Sequence, residues 1–290
     1  MDLKPSSRFK HLLNGALARV NLQLVTLTAS KRESERIRKL AARGHFDGPA
    51  FPTPDGFSSF DGKLLVDAYS AHREDCDRLL ISRGEPYRYD PANQFFCPAD
   101  ACAAYLMARI LKPPTWFEVG SGNSTRVVRQ AIEDGNLATK LVCVDPYPRI
   151  DVVAVADEIM RVEVETLAPE AIVDRLSAND VLFIDSSHQL KAGGDVLYLL
   201  PHIVPRLRPG VVVHIHDVFL PYDYPREWLE ERGWHEQYVV QAMLQFGAKF
   251  EVIWPDYYVQ RCRPDIAAKL PFMTQGRPAS LWLRILPETK

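Results

Sequence analysis

The chain is poor in cysteine, and its cysteines follow no pairing pattern. Five occur in 290 residues, Cys76, Cys97, Cys102, Cys143 and Cys262. The number is odd and no C-x-x-C spacing occurs, which argues against a disulfide framework or a structural zinc site. No apolar run reaches the roughly 18 residues of a membrane span. No apolar leader with a small-residue cleavage site opens the sequence, so no secretory signal is expected and the cytoplasm is the expected location. Charge of one sign is missing too: 35 Lys and Arg against 37 Asp and Glu leave a net of -2. That balance provides no global attraction for nucleic acid. Repeats and low-complexity segments are also absent. What remains is a chain of ordinary globular composition, 47% hydrophobic and 25% charged, long enough for one large domain or one domain with an appendage.

Charge is uneven along the chain. Residues 1–44 hold ten Lys or Arg against three Asp or Glu. Apolar positions at Phe9, Leu12, Leu13, Ala16, Leu17, Val20 and Leu24 predict a helix over 8–26, and the basic stretch from Lys31 to Arg43 predicts a second, solvated one. Residues 46–60 read as an irregular connector. Helical spacing returns over 63–83 and 99–111. From Thr115 onward short β-rich runs alternate with helical ones. Strands are expected at Trp116–Val119, Leu141–Asp145, Arg161–Val164, Val181–Asp185 and Val211–His216, with Phe250–Trp254 and Leu281–Leu286 closing the sheet and the last strand antiparallel. Strands alternating with helices imply a parallel sheet covered on both faces.

The first strand runs into Glu118-Val119-Gly120-Ser121-Gly122-Asn123-Ser124-Thr125. Gly120 and Gly122 permit close backbone approach, and Ser124 or Thr125 suits a helix cap. The third glycine of a dinucleotide fingerprint is missing, because Thr125 holds its place. An acid two residues before the first glycine suits a cationic ligand and opposes a pyrophosphate. Asp145, at the end of the second strand, suits a ribose.

These residues resemble the class I S-adenosylmethionine-dependent methyltransferases over about residues 90–290. The resemblance rests on the Glu118 to Gly122 run, on Asp145, and on a seven-strand order with a terminal hairpin-like pair. A narrower similarity, to a bacterial branch of that superfamily, rests on Leu182-Phe183-Ile184-Asp185-Ser186-Ser187-His188, Leu207-Arg208-Pro209-Gly210-Val211 and His214-Ile215-His216-Asp217. The lead-in Asn93-Gln94-Phe95-Phe96-Cys97-Pro98-Ala99-Asp100-Ala101 and the run Trp234-His235-Glu236-Gln237-Tyr238 are similar as well. The resemblance implies a doubly wound, seven-stranded, mostly parallel α/β sheet of Rossmann-like type. It implies a cofactor domain over 91–290, and the helical spacing ahead of it marks 1–90 as a helical N-terminal extension. It also implies that Glu118, Gly120, Ser121, Gly122, Asn123 and Ser124 surround the methionine part of S-adenosylmethionine. By the same resemblance Asp145 holds the ribose, Asn93 approaches from the lead-in, and Glu165 or Thr166 lies near the adenine.

Asp185, His188, His216 and Asp217 fall at neighbouring strand tips, where an acceptor belongs. Two chemistries are open. His188 or His216, with Asp185, accepts a proton from an acceptor hydroxyl. Alternatively Asp185 and Asp217 hold a divalent cation such as magnesium. His214, deeper in its strand, reads as a core histidine. The aromatic residues Tyr222, Tyr224, Trp228, Trp234 and Tyr238 suit either an acceptor pocket or plain packing.

The expected function is O-methylation of a sugar or other hydroxylated small molecule. A non-catalytic cofactor-binding subunit and a nicotinamide-dependent oxidoreductase are the alternatives. A homo-oligomer is a possible assembly, with the N-terminal segment as a lid, an oligomer arm or a docking segment.

Overall fold

Side chains alternate between the two faces of a strand, and in this chain both faces are apolar. Trp116, Leu141, Val181 and Val212 enter one core, while Phe117, Val142, Leu182 and Val213 enter the other. A sheet of this kind must be covered twice. Each fully buried large apolar side chain contributes about 1.5–3 kcal/mol. A computed structural model describes residues 13–287 apart from 23, 25–27, 83, 86, 149–151 and 248.

Seven strands form one sheet: β1 Thr115–Val119, β2 Lys140–Val144, β3 Glu158–Met160, β4 Val181–Ile184, β5 Val212–Ile215, β6 Phe250–Pro255 and β7 Leu281–Ile285. Their order is β3-β2-β1-β4-β5-β7-β6. The first five are parallel, and β7 lies antiparallel between β5 and β6. The expected strands therefore form, with one displacement. The run Arg161–Val164 is not a strand; the edge strand is Glu158–Met160, three residues earlier. Its residues are only half-buried, and Glu158 pairs with Lys140 and Arg175. Ile159 and Met160 are apolar, but a run of three residues is too short to show the alternation that Val162 and Val164 display in the next turn.

The helices that bear on the site are α1 Thr28–Ala42, α2 Lys63–Leu79, α3 Pro98–Leu111, α4 Asn123–Gly135, α5 Arg226–Glu231 and α6 Glu236–Phe246. The first expected helix is seen only in part. Residues 1–12 lie outside the described residues, and the turns at 13–20 end at Asn21 in the left-handed region. Of that apolar stripe, Leu13, Val20 and Leu24 are exposed and Leu17 is half-buried. In α1, Ile37 alone among the residues whose burial is described is buried, and the helix packs beside α5. The segment ahead of residue 90 is tied into the sheet's core: Phe60, Leu65, Tyr69 and Leu79 share a cluster with Trp116 and Trp254. Among the described residues no helix is long and apolar enough to cross a membrane.

Candidate active site

Four backbone ladders run one residue past the strand ends. Gly120 N–H donates to Val144, Asp145 to Met160, Asp185 to Val119 and His216 to Ile184. The residues that follow β1, β2, β4 and β5 are thereby held along one carboxyl edge.

Gly120 is at φ +83°, and a Cβ there would stand 1.9 Å from the Asp185 carbonyl oxygen. Only glycine fits. Gly122 differs, because a Cβ on it would meet nothing. That face of the turn is open. Thr125 Oγ1 accepts the Gly122 amide at 2.9 Å and closes the first turn of α4. Ser121 donates to Asp145 Oδ2 from both its amide (2.9 Å) and its hydroxyl (2.7 Å), and the Tyr147 amide donates to Oδ1. Asp145 thus joins the turn to the tip of β2.

Glu118 sits behind the turn, fully buried. Ser124 Oγ donates to its carboxylate, and Cys143 Sγ lies 3.7 Å away. Burial pushes its carboxyl up to about 8, partly offset by hydrogen bonds from Ser124 and Thr125. Asn93 uses its side chain locally: Oδ1 accepts the Phe95 and Phe96 amides, and Nδ2 donates to the Asp90 and Phe96 carbonyls. It clamps the lead-in loop that lays Phe96 against His216, ring centroids 5.2 Å apart. Glu165 and Thr166 lie in a single 3-10 turn beyond β3.

The fold brings the four acceptor-side residues together. His188 Nε2 is 3.2 Å from Asp185 Oδ1 and 3.5 Å from Asp217 Oδ2; His216 Nδ1 is 3.4 Å and 3.5 Å from the same atoms. His188 and Asp217 both hold φ +57°. Non-glycine residues in this region cost energy that tertiary packing must offset, and such positions concentrate at functional sites.

Two buried carboxylates escaped the sequence reading. Glu236, at the start of α6, meets His188 Nδ1 at 2.7 Å. Asp100, on α3, faces His216 Nε2 at 3.6 Å, an ion-pair distance. The Ala279 and Ser280 amides hold the other Asp100 oxygen. A lone acid among the alanines of Ala99 to Ala104 is a signal that sequence reading can use, since an apolar helix face rarely buries an unpaired charge.

Burial opposes charge on both imidazoles, but the carboxylates win. Asp185 and Glu236 hold His188 up at about 10, and Asp217 and Asp185 hold His216 well above its ordinary value. Burial works against ionisation of Asp185 as well; His216 and His188 overcome it and keep this carboxyl well below its usual range. Near neutral pH the cluster is therefore two imidazolium ions interleaved with carboxylates. His214 stands apart as a core residue: it stacks on Phe183 at 3.7 Å, shares a hydrogen bond with Ser280 Oγ, and burial lowers its pKa well below the usual value.

The aromatic group after β5 is a third small core of Phe219, Tyr224 and Ala279, with Trp228, Trp234 and Tyr238 packed on it. Trp234 also lies against His188, ring centroids 4.3 Å apart.

A family profile described as a methyltransferase domain matches residues 117–218, which span the glycine turn through Asp217. Comparison with curated proteins gives no significant match. Among solved structures, cofactor-bound Rv0187 from MTB is 13% identical, covering 77% of this chain and 91% of that one with a TM-score of 0.41. The SAH-bound Podospora anserina methyltransferase PaMTH1 is 17% identical, covering 92% of this chain and 99% of that one with a TM-score of 0.41. The matched residues run from within β1 to just past β5, so the parallel part of this sheet is what resembles a methyltransferase domain.

Proposed function

We propose that this protein uses S-adenosylmethionine to methylate a hydroxyl oxygen on a small molecule, a sugar being the first class to try. One observation carries the reading: the glycine turn and the imidazole–carboxylate cluster touch, with the backbone of Gly120 packed directly on that of Asp185. A cofactor seated on the turn has an acceptor site immediately beside it.

The open face at Gly122 suits the methionine part, flanked by Ser121, Asn123 and Ser124, and a cationic ligand there favours ionisation of Glu118 behind it, which burial keeps protonated in the free protein. Asp145 accepts the ribose hydroxyls, exchanging its bonds from Ser121 for them. When bound, the cofactor supplies an electrophilic methyl group on a sulfonium. Asp185 and Asp217 orient the acceptor hydroxyl, and His188 takes its proton at Nε2. That step needs the neutral imidazole, so the rate rises with pH above neutrality. A cation bound beside the cluster disfavours imidazolium and brings this limb toward neutral pH. Alignment of the two reactants accounts for most of the acceleration. The helices ahead of residue 90 serve as a lid or an oligomer arm on this domain, with α1 placed beside α5.

Calorimetry with S-adenosylhomocysteine tests the cofactor reading: micromolar binding is expected, and no heat at millimolar protein and ligand removes it. Binding without turnover across a panel of sugars and phenols would mark a non-catalytic subunit instead. A second reading is favoured by one observation: donor atoms of Asp185, His216 and Asp217 lie within 4.8 Å of one another. A cation held there polarises the acceptor oxygen. A donor set containing an imidazole suits manganese or zinc better than magnesium, which prefers an all-oxygen shell. Metal content of the purified protein and activity after chelation separate the two readings.

A further inference from the structure

Arg232 follows α5 in a turn docked directly over the acceptor-side cluster. The turn is fixed at both ends. The Arg232 amide donates to the Trp228 carbonyl at 2.8 Å, and the His235 and Glu236 amides donate to the His188 carbonyl at 2.9 and 3.3 Å. Gln189 Nε2 reaches the Arg232 carbonyl at 3.4 Å. Gly233, at φ +61°, reverses the chain between them. The result brings the Arg232 guanidinium over two indoles, 4.4 Å from the centroid of Trp228 and 4.6 Å from that of Trp234. Trp234 is the ring that lies against His188.

The cations around it are committed. Arg226 pairs with Glu230 at 3.1 Å, Arg277 with Glu227 at 3.1 Å, and Arg36 of α1 with Glu33 at 2.6 Å. Among the described residues no carboxylate lies within ion-pair distance of Arg232, although the exposed Glu231 is its chain neighbour. The two indoles meet edge to face at 75°, so the guanidinium can lie flat on one of them at most, and the exposed side chain keeps in-plane N–H donors free to meet a ligand. A cation held this way is pre-organised for a planar or tetrahedral oxyanion at its edge.

We propose that the acceptor carries an anionic group, a carboxylate or a phosphate, and that Arg232 reads it from the platform of Trp228 and Trp234. The inference rests on the strand-tip cluster being the acceptor site, and it narrows the acceptor from hydroxylated molecules in general to acidic ones, such as uronic acids or sugar phosphates. It also gives the carboxylate-rich cluster a cationic rim, so that an acidic acceptor is not repelled on entry.

Titrations followed by the indole N–H resonances of Trp228 and Trp234 test this in the full chain. The probes are galacturonate, inorganic phosphate and, as the neutral control, galactose. Saturable shifts are expected with galacturonate or phosphate, the responding anion identifying the chemistry, and little response to galactose. Arg232→Gln should weaken the anion response about tenfold, the usual size of a lost charge-assisted hydrogen bond. Equal affinity in wild type and variant, or galactose matching galacturonate, overturns the proposal. Calorimetry with S-adenosylhomocysteine on both proteins keeps the two readings apart. Equal cofactor binding with the anion response lost in the variant supports Arg232, and an unchanged anion response refutes it whether or not the cofactor binds.

Discussion

Gly120 and Gly122 stand one residue apart and answer to different demands. Gly120 is required by the protein itself, since any side chain at its positive φ collides with the Asp185 carbonyl. Gly122 has extended backbone and empty space around its missing Cβ. Gly120→Ala should therefore cost about 3 kcal/mol or more, read by urea denaturation. Gly122→Ala should stay within about 1 kcal/mol of wild type and yet bind S-adenosylhomocysteine at least about tenfold more weakly by calorimetry. If both variants lose stability equally, the open face at Gly122 is not a ligand surface. Glu236 offers a second residue-level test. It helps hold His188 protonated, so Glu236→Gln should lower the His188 pKa and shift the rising limb of the pH–rate profile to lower pH. A limb that stays in place while NMR shows the pKa falling would exclude His188 as the proton acceptor.

Among the elements, β3 and α1 show where pattern reading stops. Buried strands announce themselves by apolar runs, continuous in β4 and over Leu141–Val144 of β2, and broken by a single buried polar residue in β1 and in β5. At the edge, β3 is held by backbone pairing to β2 and by Lys140 and Arg175 on Glu158, and neither leaves an apolar trace. The basic helix α1 was legible from composition, but its docking beside α5 hangs on Ile37, one fully buried side chain in a polar segment. Ile37→Ala removes about 2–5 kcal/mol of packing, more than so small a contact can lose and stay docked. Hydrogen exchange should show α1 amides losing protection while those of β1 and β4 keep theirs. Loss of protection throughout the sheet would mean that α1 belongs to the folding core.

At the scale of the whole molecule the buried charges set the response to pH. His188 titrates near 10 in the fold against 6.5 unperturbed, so its stabilisation is complete below 6.5 and is lost as pH rises through 10. Glu118 is kept protonated up to about 8 against an ordinary 4.5, so the fold loses stability as pH climbs from 4.5 to 8. Asp185, held below its usual 3.8, acts in the opposite sense and loses its contribution only in acid. The ligand-free protein should melt at its highest temperature at about pH 4 to 4.5 and progressively lower toward pH 10. Calorimetric scans across that range check it, and a melting temperature that is flat or rising above pH 6 would contradict a protonated His188 and a neutral Glu118.

By itself the sequence determined the sheet, the glycine turn and the acids at the strand tips, because periodicity, glycine and chain order are local properties. It also marked His214 as core, since alternation along a strand sets depth. Only the tertiary structure decided what the tips do. Asp100, from the helix before β1, reaches His216 across more than a hundred residues of chain, and Glu236, from α6, reaches His188 across 48. Together with Asp185 and Asp217, these carboxylates turn imidazoles of ordinary basicity into buried cations. That change is a property of distance and dielectric, which no sequence pattern encodes.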